Sequence, residues 1–279
     1  MIDSQSYRGI LFFVTSIAVF FAVLQHFGIS SVFYFWEIAI DIKIVSIFGY
    51  LYALYKKQKF VLNITDLKLF PGDWYRNIIF FFIPIFIYGF VAFLGLIFGS
   101  VTLTPLENKP TVVLAALFDL PAIFIFSITI ILMEEMVFRS ILLKSGFGSH
   151  SNLQTFIVIN IIWSIYSILS IIDVTEANFL ILLSIFLSQF SIGFFLSCVV
   201  MKYRSIWLAY SFRIGMKIIP PLMMKSVVLD ADPFFTTHSL FFSAEGWLSS
   251  VIILLFAIYC YQQDVKMIEN QTNFRKNIA

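Results

Sequence analysis

Hydrophobic and polar positions along the chain alternate in long blocks, not at the short period of a half-buried strand or amphipathic helix. A helix that crosses a bilayer takes about 20 mostly apolar residues. Eight such runs occur, at 9–28, 33–55, 78–99, 112–138, 152–172, 177–201, 205–224 and 245–262. The second is the weakest, because Glu37, Asp41 and Lys43 interrupt it, and a short interfacial helix followed by a shorter span is the alternative there. Pro84 and Pro121 lie inside runs, where neighbouring helices satisfy freed carbonyls. The pattern predicts an all-α, polytopic membrane bundle of about eight transmembrane helices.

Composition supports this and excludes a soluble enzyme. Hydrophobic residues make up 60% and charged residues 12% of the 279 positions, against about 45–50% and 25% in soluble domains. Mean hydropathy is +0.95. The net charge of +2 is too small and scattered for a nucleic-acid partner. The expected surroundings are the lipid bilayer and a membrane-bound peptide or protein client. Cys198 and Cys260 each sit in an apolar run and read as small hydrophobes, neither disulfide nor metal ligands. Phe, at 35 residues, reads mostly as lipid-facing filling, and Trp36, Trp74, Trp207 and Trp247 as interfacial anchors.

Charge in the loops fixes an orientation. An even span count puts both termini on one side, and with that side cytoplasmic the inner segments hold 13 Lys and Arg residues. The outer loops hold only Lys109 and Lys225. Positive residues favour the cytoplasmic side, so both termini are expected there. The first run lacks the flanks of a cleaved signal and is expected to remain as a span. Short loops and the lack of a targeting segment point to a bacterial plasma membrane. The polar tail from Gln262 is expected to be mobile. Three regions follow: 1–111 with the N-terminal spans and an interfacial loop, 112–224 as the core, and 225–279 with an outer loop, the last span and the tail.

Ionisable groups at membrane depth are costly and mark function by default. The fourth span carries Glu134, Glu135 and Arg139. Glu135 and Arg139, at i,i+4, are spaced to pair along the helix. Adjacent carboxylates point about 100° apart, so Glu134 is expected to face something other than that partner. It reads either as a general base activating water or, with Glu135, as a marker of the span's cytoplasmic end. Arg213 and Lys217 lie one turn apart in the seventh span. From Ser205, Arg213 lies ~12 Å deep, and Glu134 lies ~8 Å above Arg139, so the two can meet. Asp119 lies ~22 Å from Glu134 and belongs elsewhere.

Glu134-Glu135-x-x-x-Arg139, with Phe138 before the Arg and Ser140-Ile141-Leu142 after it, resembles the first motif of the CPBP family. That family comprises type II CAAX prenyl endopeptidases and bacteriocin-processing or immunity proteins. Gly193-x-x-x-Ser197 and Lys202-Tyr203-Arg204-Ser205-Ile206-Trp207-Leu208-Ala209 are similar to the stretch leading to its last motif. The resemblance covers about 112–220 and implies intramembrane peptide hydrolysis, with Glu134, Glu135 and Arg139 in the first-motif roles. Two other motifs depart. Where the resemblance implies Phe-x-x-x-His, the chain has Trp163-Ser164-Ile165-Tyr166-Ser167, and where it implies His-x-x-x-Asn or His-x-x-x-Asp, it has Arg213-Ile214-Gly215-Met216-Lys217. In the family those His and Asn residues surround the water and polarise the peptide carbonyl.

His26, His150 and His238 are spread along the chain and do not converge, and Arg213 and Lys217 would repel a cation, so neither metal nor other cofactor is expected. Three readings remain open. The first is an ion-pair lock in a catalytically impaired homologue that serves as a binding or regulatory scaffold. The second is an active endopeptidase with Glu134 as general base and the cations holding an oxyanion. The third is a transporter, for which paired broken helices are not evident.

Overall fold

A computed structural model of the chain describes residues 4–26, 32–35, 38–56, 73–103, 128–143, 152–171, 178–224, 235–237, 239–243 and 245–276. Within these the protein is an all-α helical membrane bundle. In chain order the helices are α1 (Ser4–His26), α2 (Ile42–Lys56), α3 (Trp74–Ile97), α4, α5 (Asn152–Ile171), α6 (Phe179–Tyr203), α7 (Ile206–Met223) and α8 (Trp247–Lys276). Helix α4 is composite, with π-helical stretches Ile128–Leu132 and Met136–Leu142 on either side of an α-helical step, Met133–Glu135. Such widened turns recur at functional sites.

Among the described residues, three helical stretches are long and apolar enough to cross a membrane: Tyr7–Gln25, Trp74–Ile97 and Phe179–Tyr203. Leu153–Leu169 and Trp247–Gln263 are shorter apolar stretches. Phe82, Phe86, Phe90 and Phe93 run along the exposed side of α3, where lipid-facing filling is expected. Trp74 is exposed at the start of α3.

The expected second span is corrected. Val32–Phe35 (β1) and Ile38–Asp41 (β2) form an antiparallel pair, with Val32 opposite Asp41 and Phe35 opposite Ile38, and only then does the 15-residue α2 begin. Aromatic and β-branched residues there suit strands, and a helix of that length rises only ~22 Å. A second small pairing joins Val101–Leu103 (β3) to Phe235–Thr237 (β4). The tail from Gln262 is helical, because α8 continues to Lys276. Its Gln, Lys, Glu and Met residues are good helix formers. Trp36, Lys57, Pro121, Asp119, Lys109, His150, Lys225, Asp232 and His238 lie outside the described residues, as do most of the polar loop around 56–77 and the first half of the expected fourth span.

Within a bilayer, helices associate through close packing and interhelical hydrogen bonds because hydrophobicity gives no net drive. Helix α6 packs along α8 on that principle. Ser184 donates to the Glu245 carbonyl at 2.5 Å, and Cys198 Sγ lies 3.6 Å from the Ala257 carbonyl. Cys198 is thus a small buried neighbour at a helix contact, as its sequence setting suggested. Helix α6 ends at Arg204 in the left-handed region (φ 52°), and Ser205 then starts α7. The Lys202–Ala209 stretch is therefore the corner that returns the chain into the bundle. Helix α7 lies tightly against α3 at Gly215, where a Cβ would collide with the Phe81 carbonyl oxygen.

That contact yields an expected result. Gly215→Ala should destabilise the purified protein by about 1–3 kcal/mol through overpacking. Gly49→Ala in α2, where nothing lies within 4 Å of the new Cβ, should be neutral or slightly stabilising because Ala favours helix over Gly. Thermal unfolding of the two variants in detergent checks the pair. Equal effects would mean that α3 and α7 are not in close contact.

A buried carboxylate–arginine cluster between α4, α5 and α7

The α-helical step in α4 presents Glu134 and Glu135 to the interior, and both are buried, with Arg139 completely so. Arg213 reaches them from α7. Its Nη1 lies 2.6 Å from Glu134 Oε2 and 3.0 Å from Glu135 Oε1, and the second contact is a hydrogen bond. Glu135 Oε2 also lies 3.6 Å from Arg139 Nε, at i,i+4. Glu134 thus faces Arg213 and not Arg139, and Glu135 shares that same Arg213 nitrogen. A guanidinium arriving from a facing helix fits into the angle between adjacent side chains, which a partner on their own helix cannot do.

Trp163 of α5 forms the floor. Its ring lies 4.7 Å from Arg139 Cζ and 5.2 Å from Arg213 Cζ, so one indole faces two guanidinium groups. Desolvated cation–π contacts of this kind contribute about 2 kcal/mol each. They matter here because Arg139 Nε, Nη1 and Nη2 have no hydrogen-bond partner in the described structure. The indole position is set by Gly193 on α6, where a Cβ would lie 2.6 Å from Trp163 Cε3 and 2.8 Å from Asn160 Oδ1. Asn160 Nδ2 donates to Ser197 Oγ at 3.2 Å and to the Phe156 carbonyl at 2.7 Å, and Ser164 donates to the Asn160 carbonyl at 2.6 Å. Ser197 donates in turn to the Gly193 carbonyl at 2.9 Å. The Gly193-x-x-x-Ser197 segment therefore docks α6 onto α5 and seats the indole.

The structure brings Glu134, Glu135, Arg139 and Arg213 together. Ser167 is buried one turn along α5 from Trp163 and makes no hydrogen bond with the cluster. Lys217 makes no ion pair with a described residue, although it lies close enough to Arg213 and Glu134 to feel both charges. Lys43 belongs to a separate spot, 5.1 Å from the centre of the Tyr166 ring. Among the described residues no group of three or more His, Cys, Asp or Glu could hold a metal ion.

Sequence reasoning placed Trp163 near the site but missed Asn160. The available signal was an amide in the middle of an apolar span, where a polar group requires an interhelical partner. Four formal charges in the cluster cancel. Chemically it joins α4 to α7 through ionic hydrogen bonds with an aromatic backing, and it leaves Glu134 and Arg213 only slightly accessible, at 9% and 13% of their side-chain surfaces.

Residues 115–219 match the family model described as type II CAAX prenyl endopeptidase, Rce1-like. The matched stretch contains the whole cluster as well as Ser167 and Lys217. No curated protein and no solved structure matches the chain.

Proposed function

We propose that this membrane protein, whose residues 115–219 match the family model of Rce1-like type II CAAX prenyl endopeptidases, is a non-cleaving member of that family. In this reading the hydrolytic site has become an ion-pair lock, and the 112–224 core serves as a binding or regulatory scaffold for a membrane peptide or protein client. Immunity or envelope functions in a bacterial plasma membrane are the setting that the family resemblance and the short loops favour.

One observation carries the reading: a single nitrogen, Arg213 Nη1, contacts both carboxylates. A general base needs a lone pair aimed at the water it activates. Here the lone pairs of Glu134 and Glu135 are directed at a permanent cation. The cation itself stands at the position where the family motif has its histidine, and Lys217 stands where Asn or Asp is expected. Ser167 replaces the other histidine.

The test is a cleavage assay on purified protein with farnesylated peptides and leader peptides. The wild type should give no product above a buffer control, and Glu134→Gln should be indistinguishable from it. Turnover by the wild type that Glu134→Gln abolishes would overturn the proposal. It would make Glu134 the general base, with Arg213 stabilising an oxyanion.

A further inference from the structure

Helices α3 and α6 are both long and apolar enough to cross a membrane, and the start of the first meets the end of the second. Phe80 of α3 lies edge-on to Tyr203, with ring centres 6.0 Å apart, and stacks on Phe195 at 6.4 Å. The two ends therefore lie on one membrane face. Arg76 Cζ lies 5.3 Å and Lys202 Nζ 5.8 Å from the centre of the Tyr203 ring, so two cations from different helices gather round one aromatic. Arg204 follows next in the chain, and Arg76, Lys202, Tyr203 and Arg204 are all exposed. Lys202 and Arg204 make no ion pair with a described residue. Asp73 Oδ2 lies 3.7 Å from Arg76 Nε, with more than half of each side chain exposed, and an exposed pair contributes little. The sequence leading into α3 adds Lys57, Lys59 and Lys68 against Asp66. Helix α3 has 24 residues and rises ~36 Å, more than a hydrocarbon core of about 30 Å. Its first turn therefore reaches the headgroups, where the exposed rings of Trp74 and Tyr75 are at home. Further in, Ile79, Phe82 and Phe86 form an exposed apolar strip on one side of the helix.

We propose that this α3–α6 corner binds an anionic phospholipid, with its phosphodiester on Arg76, Lys202 and Arg204 and an acyl chain along Ile79, Phe82 and Phe86. Charge selects the class. Three cations against one carboxylate leave a positive surplus at headgroup level, and cations gathered at one ring repel until an anion lies among them. A zwitterionic lipid brings its own cation and gains less. Position selects the source, because a free phosphate satisfies the cations alone, whereas a lipid also covers the apolar strip below them. A lipid held there contacts α3 and α6 at once and fastens the two spans at their shared end. The inference goes beyond the scaffold reading and does not depend on whether the protein cleaves peptides.

The experiment titrates the full chain in detergent with phosphatidylglycerol and with phosphatidylcholine of identical acyl chains, read by native mass spectrometry. A basic residue near a membrane surface favours anionic lipid by roughly fivefold. The first phosphatidylglycerol should therefore bind at least about tenfold more tightly than the first phosphatidylcholine. The triple variant Arg76→Gln, Lys202→Gln, Arg204→Gln should bring the two lipids within about twofold of each other. These are exposed positions, where substitutions leave the fold intact. A charge-matched control, Arg8→Gln, Lys56→Gln, Lys266→Gln, should keep the preference. Equal binding of the two lipids by the wild type, or a preference that survives the corner variant, would overturn the inference. So would equal losses in the corner variant and the control, because net charge alone would then attract the lipid. Displacement of phosphatidylglycerol by glycerol phosphate at matched concentration would overturn it as well, because the occupant would then be a free phosphate.

Discussion

Arg213→Met should cost about 3–5 kcal/mol of stability, the range for removing one partner from a buried ion pair. The loss leaves Glu134 and Glu135 next to each other with only Arg139 nearby, and Arg139 reaches one of them at 3.6 Å. Marginal stability is about 5–15 kcal/mol, so the variant should unfold at a much lower temperature in detergent. Arg213→Lys should fall between. An ammonium can donate to both carboxylates from one nitrogen, as Nη1 does, but it lacks the flat guanidinium face that lies over Trp163. A thermal unfolding series on the three proteins checks the order. Met and Lys variants as stable as the wild type would show that the cluster contributes nothing to holding α4 against α7.

The second large effect is expected at Trp163. Its side chain is buried, fits against Gly193 and faces both guanidinium groups. Trp163→Ala removes a large buried aromatic, a change that costs about 3–5 kcal/mol, and it uncovers two cations whose remaining partners are few. Trp163→Phe keeps a ring at the same place and should lose under about 2 kcal/mol, since Phe offers weaker cation–π attraction and less area. Chemical or thermal unfolding in detergent separates the two. Equal losses for Ala and Phe would mean that the indole is merely filling space.

These residues show what a sequence makes legible in a membrane protein. Apolar run length set the bundle because the bilayer imposes it, and seven of the eight expected runs contain a described helix close to their full length or over their described part. The second run failed because its hydropathy does not distinguish a strand pair from a helix, and Phe33, Tyr34 and Ile38 suit both settings. At the site, cost at membrane depth singled out Glu134, Glu135, Arg139 and Arg213 before any coordinates. Which of them meet was not legible. The shared contact at Arg213 depends on the relative rotation of α4 and α7, which the π-helical stretches of α4 and the close approach at Gly215 set in three dimensions. Asn160 was overlooked because its partners lie 37 residues away at Ser197 and one turn back at Phe156.

The central claim is that Glu134 is committed to Arg213, and a double-mutant cycle on that pair tests it most directly. Unfolding free energies are measured for the wild type, Glu134→Gln, Arg213→Gln and the double variant. Each single change should be destabilising, and the double variant should be less destabilised than the sum, by about 1–3 kcal/mol of coupling. Additive losses, or a Glu134→Gln protein more stable than the wild type as an active-site carboxylate would give, would contradict the lock.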